Sequence, residues 1–379
     1  MRCLGLDPGT ISIDLCGIDD GRLVVDESIP TQSALADPDG FVARVAQLGP
    51  FECIVGPSGY GLPLTAGADL SEEAIRLALL SPAGEEGGIG GLGRLLRALA
   101  RSALPVVFTP GVVHLPTVPA HRKLNRVDLG TADKVCAAAL AIEDQARRRR
   151  VPLNETSLIL LELGGAFTAA IGVAEGRIVD GVGGSSGPIG AQASGALDAE
   201  VAVLAGQVTK RMVFSGGVAD VRGDAAPDIE AVAHPTTARA NIAWHALVEG
   251  ACKAVAALRV TVPGPTEVVL SGRLARSAVV SRVLSERLAD VAPVVRLDGF
   301  AQAAKQAAQG AALVADGLAG GRHAPLVDLL ALRTASGSVL DWLYVVSPES
   351  ARARLGLEHT GGSAARREAP TESGDRPPL

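Results

Sequence analysis

The chain has few aromatic residues and no extended basic region. Two Trp, two Tyr and six Phe amount to 3% of 379 residues, and the formal net charge is −6. Proteins that bind single-stranded nucleic acid use aromatic side chains as stacking surfaces and a basic groove for the phosphates. Apart from a run of arginines at 147–150, the Lys and Arg residues are scattered. The composition therefore argues against RNA or DNA as a main partner.

Patterns typical of metal centres and disulfide frameworks are also missing. The five cysteines contain no C-x-x-C pair, and the six histidines contain no H-x-x-x-H spacing that would place two ligands on one helix face. An odd number of cysteines without such a pair indicates neither a zinc ribbon nor paired disulfides. We therefore expect no zinc or iron–sulfur site, and a reducing cytoplasmic location.

Long apolar runs are absent. No stretch approaches the 18 or more apolar residues that span a membrane, and Asp7 interrupts the N-terminal apolar stretch where a signal peptide would continue. We expect a soluble protein without a membrane partner. Apolar residues nevertheless make up 47% of the chain, enough to build a core of Ala, Val, Leu and Ile in each of two domains.

Glycine is in excess, with 45 residues where the usual share of about 7% would give about 27. Several of these glycines recur 155 residues apart. A strand–turn–strand–turn–strand pattern over residues 3–25 returns over 158–179, with Asp-Gly and Glu-Gly at the second turn. The two copies place Asp7 on Glu162, Gly9 on Gly164, Gly17 on Gly172, Gly21 on Gly176 and Arg22 on Arg177. This agreement in one alignment predicts an internal duplication.

A helix marks the boundary between the copies. Thr131 is a candidate N-cap, Asp133 lies in the first turn, the arginines at 147–150 lie in the last turn, and Pro152 ends the helix. We therefore predict a first domain over 1–130, a connecting helix over 131–152 and a second domain over 153–346 with helices that return to the first. The polar residues 347–379 are predicted to form a disordered tail.

Strand and helix patterns alternate through both domains. In chain order they predict strands over 51–55 and 105–108 and helices over 71–80 and 92–103 in the first domain, then strands over 211–214, 267–270 and 294–297 and helices over 237–258, 277–289 and 301–318 in the second. Such alternation predicts an α/β fold with a mixed or parallel sheet covered by helices.

The first turn of each copy suits a polyphosphate. In Asp7-Pro8-Gly9-Thr10 the glycine leaves room for a phosphate group, and backbone N–H groups can face its oxygens. Asp7, at the strand end, is a candidate to hold a hydrated Mg²⁺ through water, because Mg²⁺ prefers one or two carboxylates together with phosphate oxygens. The turn with Glu162, Gly164 and Gly165 would hold the same phosphates from the opposite side.

A third glycine turn, Ser271-Gly272-Arg273, follows a late strand and opens a helix. Its backbone can pass close to a nucleoside because glycine has no side chain. Ser215-Gly216-Gly217 is an alternative for that role, although its flanking strand and helix are weaker. The loop over 183–187 is either a phosphate or substrate loop or a flexible connector.

These motifs resemble those of the actin-like ATPase superfamily, which includes sugar kinases, Hsp70 and the acetate and butyrate kinases. Residues 4–10 are similar to its first phosphate motif, 162–166 to its second and 268–273 to its adenosine motif. Over residues 1–320 the layout is most similar to a family described as butyrate-kinase-like. The resemblance implies two duplicated ribonuclease-H-like domains with mixed sheets flanked by helices, and ATP and Mg²⁺ in the cleft between them.

Two positions depart from that pattern. Glu162 stands where the second motif commonly has Asp, and Ala166 stands where Ser or Thr often follows the glycines. Fewer hydroxyl donors would therefore reach the phosphates. The acyl-kinase signatures with His and Arg are also not recognisable.

A polar cluster over 119–134 precedes the connecting helix, and such residues do not belong to a core. Arg122 and Arg126 are candidates to clamp an anionic substrate, and the N-terminus of the helix adds a favourable field for anions. Asp128 or Asp133 is a candidate general base for an acceptor hydroxyl. The alternative is that Asp133 only serves the helix dipole and the arginines form surface ion pairs.

The leading hypothesis is an ATP- and Mg²⁺-dependent phosphotransferase acting on a small carboxylate or hydroxyl compound. Transfer would rely on positioning and charge neutralisation, and domain closure would exclude water. A nucleotide-binding sensor of the same fold without transfer activity is the alternative, favoured by Glu162 and Ala166. A purely structural duplicated domain is a third hypothesis. The sequence does not name the acceptor, and a homodimer is left open.

Overall fold

Two mixed β-sheets form the framework of the chain. The computed structural model describes residues 1–56, 59–82, 91–224 and 228–357. Within these ranges the first sheet has six strands and the second has five. The strands are β1 (Arg2–Pro8), β2 (Ser12–Asp19), β3 (Arg22–Pro30), β4 (Cys53–Gly56), β5 (Thr65–Ala66), β6 (Val106–Phe108), β7 (Leu158–Leu163), β8 (Thr168–Ala174), β9 (Arg177–Val182), β10 (Glu267–Ser271) and β11 (Val294–Arg296).

The two sheets share one topology over five strands. The first has the order β3-β2-β1-β4-β6-β5, and the second has the order β11-β10-β7-β8-β9. In the first sheet β1 pairs antiparallel with β2 and parallel with β4, and in the second β7 pairs in the same way with β8 and β10. The repeated order confirms the predicted fold class, α/β with two duplicated ribonuclease-H-like domains.

The turns repeat as closely as the strands. Asp20 and Gly21 have φ of 46° and 76°, and Glu175 and Gly176 have φ of 51° and 69°. Positive φ at both central residues is the requirement of a type I′ hairpin turn, whose twist matches the flanking strands. Both hairpins also carry a register shift, after Gly17 in one sheet and at the equivalent point in the other. The predicted duplication is therefore confirmed down to its turn geometry.

Helices cover both faces of each sheet. Ser71 and Thr237 accept hydrogen bonds from backbone N–H groups three residues later and so begin two of them. No helix within the described ranges is long and apolar enough to cross a membrane. The α-helices are α1 (Thr31–Ala36), α2 (Pro38–Leu48), α3 (Glu72–Leu79), α4 (Leu92–Arg101), α5 (Ala120–Lys123), α6 (Ala132–Arg149), α7 (Ala199–Ala205), α8 (Val218–Arg222), α9 (Ile229–Ala233), α10 (Ala238–Leu258), α11 (Ala278–Arg287), α12 (Gln306–Leu318), α13 (Ala324–Leu329) and α14 (Pro348–Arg354).

A central layer of two helices joins the domains. Helix α12 packs on β1, β2 and β4 of the first sheet and on α6, and α6 also contacts β7 and β8 of the second sheet. Two glycines allow the close approach. A Cβ on Gly5 would lie 2.2 Å from the carbonyl oxygen of Ala308, and one on Gly310 would lie 1.8 Å from that of Cys136. One hydrophobic core therefore extends from one sheet to the other through these helices.

Three local predictions are wrong. Residues 210–214 form a 3-10 helix rather than a strand, closed by hydrogen bonds such as Ser215 N–H to Met212 O. Thr131 precedes α6, but its hydroxyl donates to the Asp133 carboxylate instead of capping the backbone. Part of the predicted tail is ordered, because α14 is held by an ion pair of 2.6 Å between Arg352 and Glu73. The remainder of the predicted tail, 358–379, lies outside the described residues.

Candidate functional site

A cleft of about 460 Å³ opens where β1 and β7 end, between the two domains. Parallel neighbours of these strands end at the same edge, so the turns that follow them converge there. Most of the residues predicted for the site line the cleft. They are Asp7, Gly9, Thr10, Asp128, Asp133, Glu162, Gly164, Gly165, Gly272 and Arg273.

The two phosphate-type turns have the same geometry and face each other. The Gly9 N–H donates to Ser12 O at 2.9 Å, and the Gly164 N–H donates to Phe167 O at 2.8 Å. Each glycine thus closes its own turn with its N–H group. A Cβ on Gly165 would lie 3.1 Å from Ile11 of the opposite turn, so the two turns form opposing walls of the cleft.

A lysine bridges two carboxylates beside the first turn; we call Asp7, Asp14 and Lys305 the first cluster. The Lys305 ammonium group lies 3.1 Å from Asp7 Oδ2 and 3.5 Å from Asp14 Oδ2, and it donates to Ser12 O at 3.3 Å. Asp14 is fully buried and also accepts from the Ser28 hydroxyl at 2.7 Å. The carboxylate at the end of β1 is therefore neutralised by a side chain from the distant start of α12.

A second lysine makes the equivalent bridge beside the second turn; Asp133, Lys134 and Glu162 form the second cluster. The Lys134 ammonium group lies 2.5 Å from Asp133 Oδ2 and 2.6 Å from Glu162 Oε1. Lys134 and Glu162 side chains are each 13% exposed. Because α6 carries the lysine and β7 carries the glutamate, this ion pair links the connecting helix to the second domain.

Burial and charge act against each other in these clusters. Burial raises the pKa of Asp7 and of Glu162, and the adjacent lysines only partly offset that rise. Burial also disfavours the Asp133 carboxylate, but Lys134 and the hydrogen bonds to it leave its pKa below the usual value. The pKa of Lys305 is raised, because Asp7 and Asp14 outweigh the effect of burial.

Two carboxylates in the cleft, Asp7 and Glu162, could each hold a divalent cation through one oxygen. Among the described residues no group of three or more His, Cys, Asp or Glu side chains can hold a metal. Asp7 Oδ1 and Glu162 Oε2 accept no hydrogen bond from the described residues, whereas the other oxygen of each carboxylate faces a lysine. Mg²⁺ is usually bound through one or two carboxylates together with water and phosphate oxygens.

Asp128 lines the cleft but anchors a loop. Its Oδ1 accepts from the Gly130 N–H at 3.0 Å, and its Oδ2 accepts from the N–H and hydroxyl of Ser185 at 2.9 Å and 2.8 Å. The Ser186 hydroxyl donates to the Asp128 carbonyl. The loop over 183–187 is therefore tied to the polar cluster, and the Asp128 carboxylate is already engaged at both oxygens.

The predicted arginine clamp does not form in the cleft. Arg126 is exposed and does not line it. The Arg122 guanidinium donates to Val179 O at 2.7 Å and lies 3.9 Å from the Asp180 carboxylate, so it contacts β9 instead of the cleft. A run of polar residues in the sequence does not show whether an arginine lies on the exposed surface or in a binding site, because arginine is common in both.

The third glycine turn lies at one end of the cleft. Gly272 has φ of +86°, and a Cβ there would lie 2.5 Å from Leu163 O, so two independent constraints require glycine. Arg273 is exposed beside it, whereas Ser271 is buried at the edge of an adjoining pocket, and its hydroxyl has no hydrogen-bond partner among the described residues. Gly216 and Gly217, the alternative for this role, do not line the cleft.

Aromatic side chains form part of the cleft wall, although the chain has few of them. Tyr60, Phe167 and Phe214 all line it, and the two phenylalanine rings pack edge to face with centroids 4.9 Å apart. Leu92 and Ile11 add to this apolar wall. The cleft thus pairs a charged floor with an apolar wall, which suits a small molecule with both polar and apolar parts.

Sequence reasoning missed Lys305 and the aromatic wall, and it gave Lys134, the last residue of the polar cluster, less weight than Asp128 and Arg126. Lys134 was visible beside Asp133 in the polar cluster, and its position in the first turn of a helix, where a cation is unfavourable, was the available signal. Lys305, Asp14 and Tyr60 carry no local signal, because each reaches the site only through the tertiary fold.

Comparisons with known proteins agree with this architecture. A family model described as "Protein of unknown function (DUF1464)" matches residues 5–345, and no curated protein matches the chain. A propionate kinase from Francisella tularensis is similar in structure at a TM-score of 0.58 and 14% identity, covering 82% of this chain and 98% of its own.

Two acetate kinases are also similar. For the Entamoeba histolytica enzyme the TM-score is 0.55 at 11% identity, with 77% of this chain and 87% of that chain covered. For the Porphyromonas gingivalis enzyme it is 0.53 at 14% identity, with 75% and 86% covered. At such identities these likenesses establish the fold, which is the two-domain actin-like ATPase fold implied by the sequence motifs.

Proposed function

The chain belongs to the family described as protein of unknown function (DUF1464), and we propose that it is an ATP-binding phosphotransferase that acts on a small molecule. One observation carries this proposal. Two turns related by the duplication, each following a strand with a largely buried carboxylate near its end, face each other across one cleft. Opposed glycine turns of this kind suit a polyphosphate held from both sides.

Asp7 and Glu162 are the residues that would hold a hydrated Mg²⁺ on those phosphates, since each has one carboxylate oxygen unengaged within the described chain. The ion would supply charge neutralisation at the phosphate oxygens. Gly272 would border the nucleoside, because its bare backbone forms the end of the cleft.

The chain's own residues would orient the reactants and exclude water. The acceptor oxygen forms a bond to the γ-phosphorus while the bond from that phosphorus to the bridging oxygen breaks, and ADP leaves. Tyr60, Phe167 and Phe214 form a wall that keeps bulk water from this exchange. The opposing turns fix the phosphate chain in line with the acceptor.

The two candidate general bases, Asp128 and Asp133, already accept hydrogen bonds, and this favours a carboxylate as the phosphoryl acceptor. Asp128 accepts hydrogen bonds at both oxygens, and Asp133 is bonded to Thr131 and Lys134. A hydroxyl acceptor must lose a proton to a base, whereas an ionised carboxylate carries none to lose. Carboxylate kinases are also among the solved structures that share the fold.

Isothermal titration calorimetry with ATP and Mg²⁺ tests the proposal. The wild type is expected to bind, and Asp7→Ala is expected to weaken binding by about tenfold or more. Asp39→Ala is the matched control, because Asp39 is an exposed aspartate of the same domain outside the cleft. Absence of binding by the wild type, or equal affinity in Asp7→Ala, contradicts the proposal.

The acceptor is then sought by ADP release. A panel of short-chain carboxylates and small alcohols is added to the wild type with ATP and Mg²⁺, and the rate of ADP formation is measured. A carboxylate is expected to stimulate release, with no stimulation in Asp7→Ala. Stimulation by alcohols alone contradicts the carboxylate assignment.

A nucleotide sensor without transfer activity is the second candidate. Ala166, buried at the second turn, offers no hydroxyl to the phosphates, and both base candidates are engaged. Tight binding of ATP together with slow turnover that no compound in the panel stimulates would favour this candidate over a kinase.

A further inference from the structure

Lys305 holds a position in the cleft that its two carboxylate partners do not explain. It immediately precedes α12, and its ammonium group lies over the first turn, since a Cβ on Gly9 would lie 2.4 Å from Nζ. The side chain is 32% exposed, toward the cleft that it lines. A cation therefore stands at the point where a phosphate would approach the turn.

The contacts of this ammonium group are long. They measure 3.1 Å to Asp7, 3.5 Å to Asp14 and 3.3 Å to Ser12 O. Charge-assisted bonds between ammonium and carboxylate groups are usually about 2.7–2.9 Å. Lys134 shows the contrast, with contacts of 2.5 Å and 2.6 Å. Lys134 is thus held close to its carboxylates, whereas Lys305 is held by Asp7 and Asp14 at longer distances.

The side chain is not needed to hold the start of α12 in place. The Lys305 backbone N–H donates to Asp14 Oδ2 at 2.9 Å. Asp26 accepts from the N–H groups of Gln302, Ala303 and Ala304 at 2.7–3.1 Å. These backbone bonds anchor the segment on β2 and β3, so the ammonium group is available for another role.

The charges on the cleft floor indicate what the Lys305 ammonium group could bind. The two clusters contain four carboxylates and two ammonium groups, which leaves an excess of negative charge facing any polyphosphate. Ala166 adds no hydroxyl donor on the second turn. Arg273 and Arg276 also line the cleft, at and just after the Gly272 turn, so of the two cluster lysines Lys305 is the loosely held cation beside the first turn, where a terminal phosphate would approach.

We propose that Lys305 contacts the terminal phosphate of a bound nucleoside triphosphate, its ammonium group turning from Asp7 to that phosphate, and so discriminates triphosphate from diphosphate. This inference rests on the proposed function. No bond is made or broken in the movement, which exchanges one ionic contact for another.

Calorimetric titrations of ATP, ADP and adenosine, each with Mg²⁺, test this in four proteins. They are the wild type, Lys305→Met, Lys305→Arg and the control Lys253→Met, which removes an exposed lysine that pairs with Glu249 on α10. Lys305→Met is expected to weaken ATP binding by about tenfold or more and to affect ADP and adenosine by less than about threefold. Lys305→Arg should keep part of the preference for ATP, and the control should match the wild type.

Thermal unfolding of each variant establishes that it is folded, and Lys305→Gln replaces Lys305→Met if the latter is not. Failure of the wild type to bind ATP overturns the proposed function and this inference together. Binding by the wild type with an unchanged ratio of ATP to ADP affinity in the Lys305 variants overturns this inference alone. A selective loss for ATP supports it.

Discussion

Removal of the Lys134 ammonium group tests the electrostatics of the cleft floor. Lys134→Met keeps much of the side-chain volume but leaves the Asp133 and Glu162 carboxylates without their cation, at positions where Lys134 and Glu162 are 13% exposed. Breaking a buried ion pair by removing one partner costs roughly 3–5 kcal/mol. We expect a loss of that size in the free energy of unfolding near neutral pH.

The loss should depend on pH with a definite sign. Burial already raises the pKa of Glu162, and Lys134 is the cation that lowers it, so the folded-state pKa rises further in the variant. A carboxyl whose pKa is higher in the folded than in the unfolded state takes up a proton on folding. The ionised Glu162 carboxylate therefore lowers the free energy of unfolding most at a pH above its folded-state pKa. Below the pKa of the unfolded state this destabilisation vanishes. The difference in the free energy of unfolding between the wild type and Lys134→Met should therefore shrink as the pH falls from 8 toward 4.

Denaturant unfolding of wild type, Lys134→Met, Glu162→Gln and the double variant measures both effects. Glu162→Gln removes one of the two carboxylates that lose their cation in Lys134→Met. The double variant should therefore lose about 1–3 kcal/mol less free energy of unfolding than the sum of the losses in the two single variants. Lys253→Met serves as the control for removal of an exposed lysine. Additive losses, or a deficit that does not vary with pH, would refute the reasoning.

Three further outcomes follow from particular contacts. Gly310→Ala should destabilise the protein by about 3 kcal/mol or more in thermal unfolding, because its Cβ would lie 1.8 Å from Cys136 O; a melting temperature equal to wild type would contradict the packing of α12 on α6. Gly272→Ala should lower nucleotide affinity measured by calorimetry, since its positive φ and the contact with Leu163 O both exclude a side chain, and unchanged affinity would remove Gly272 from the site. Burial lowers the pKa of His114 to about 4, so the unfolded chain binds its proton first and stability should fall as the pH drops from 6.5 toward 4. His114→Leu should flatten that part of the pH profile in denaturant titrations, and an unchanged slope would assign it to other groups.

The duplicated framework could be predicted because its signals are local. The Asp20-Gly21 and Glu175-Gly176 turns require positive φ, which short-range sequence specifies, and the apolar runs on either side define the strands. Helices with side-chain caps, such as the one that begins after Thr237, were also recognisable. The strand predicted over 211–214 was wrong because apolar residues alone do not provide a neighbouring strand with which to pair.

The floor of the site could be predicted only in part. The carboxylates Asp7 and Glu162 follow strands and were identifiable by position. Their lysines were not, since Lys305 meets Asp7 only when α12 packs back on β1. Asp128 was recognised as a polar residue near the site, but its commitment to Ser185 depends on a contact between segments far apart in sequence. Residue type indicates what a side chain can do, and the fold decides which partner it has.

The central layer has a consequence for how the two halves depend on each other. Helix α12, from the C-terminal half, covers the sheet built by the N-terminal half, while α6, from the end of the N-terminal half, lies against the sheet of the C-terminal half. Each half therefore contributes a helix that covers part of the sheet of the other half. The chain therefore repeats one topology in two halves, and besides the core cluster that lies within each half it has a shared core to which both halves contribute helices.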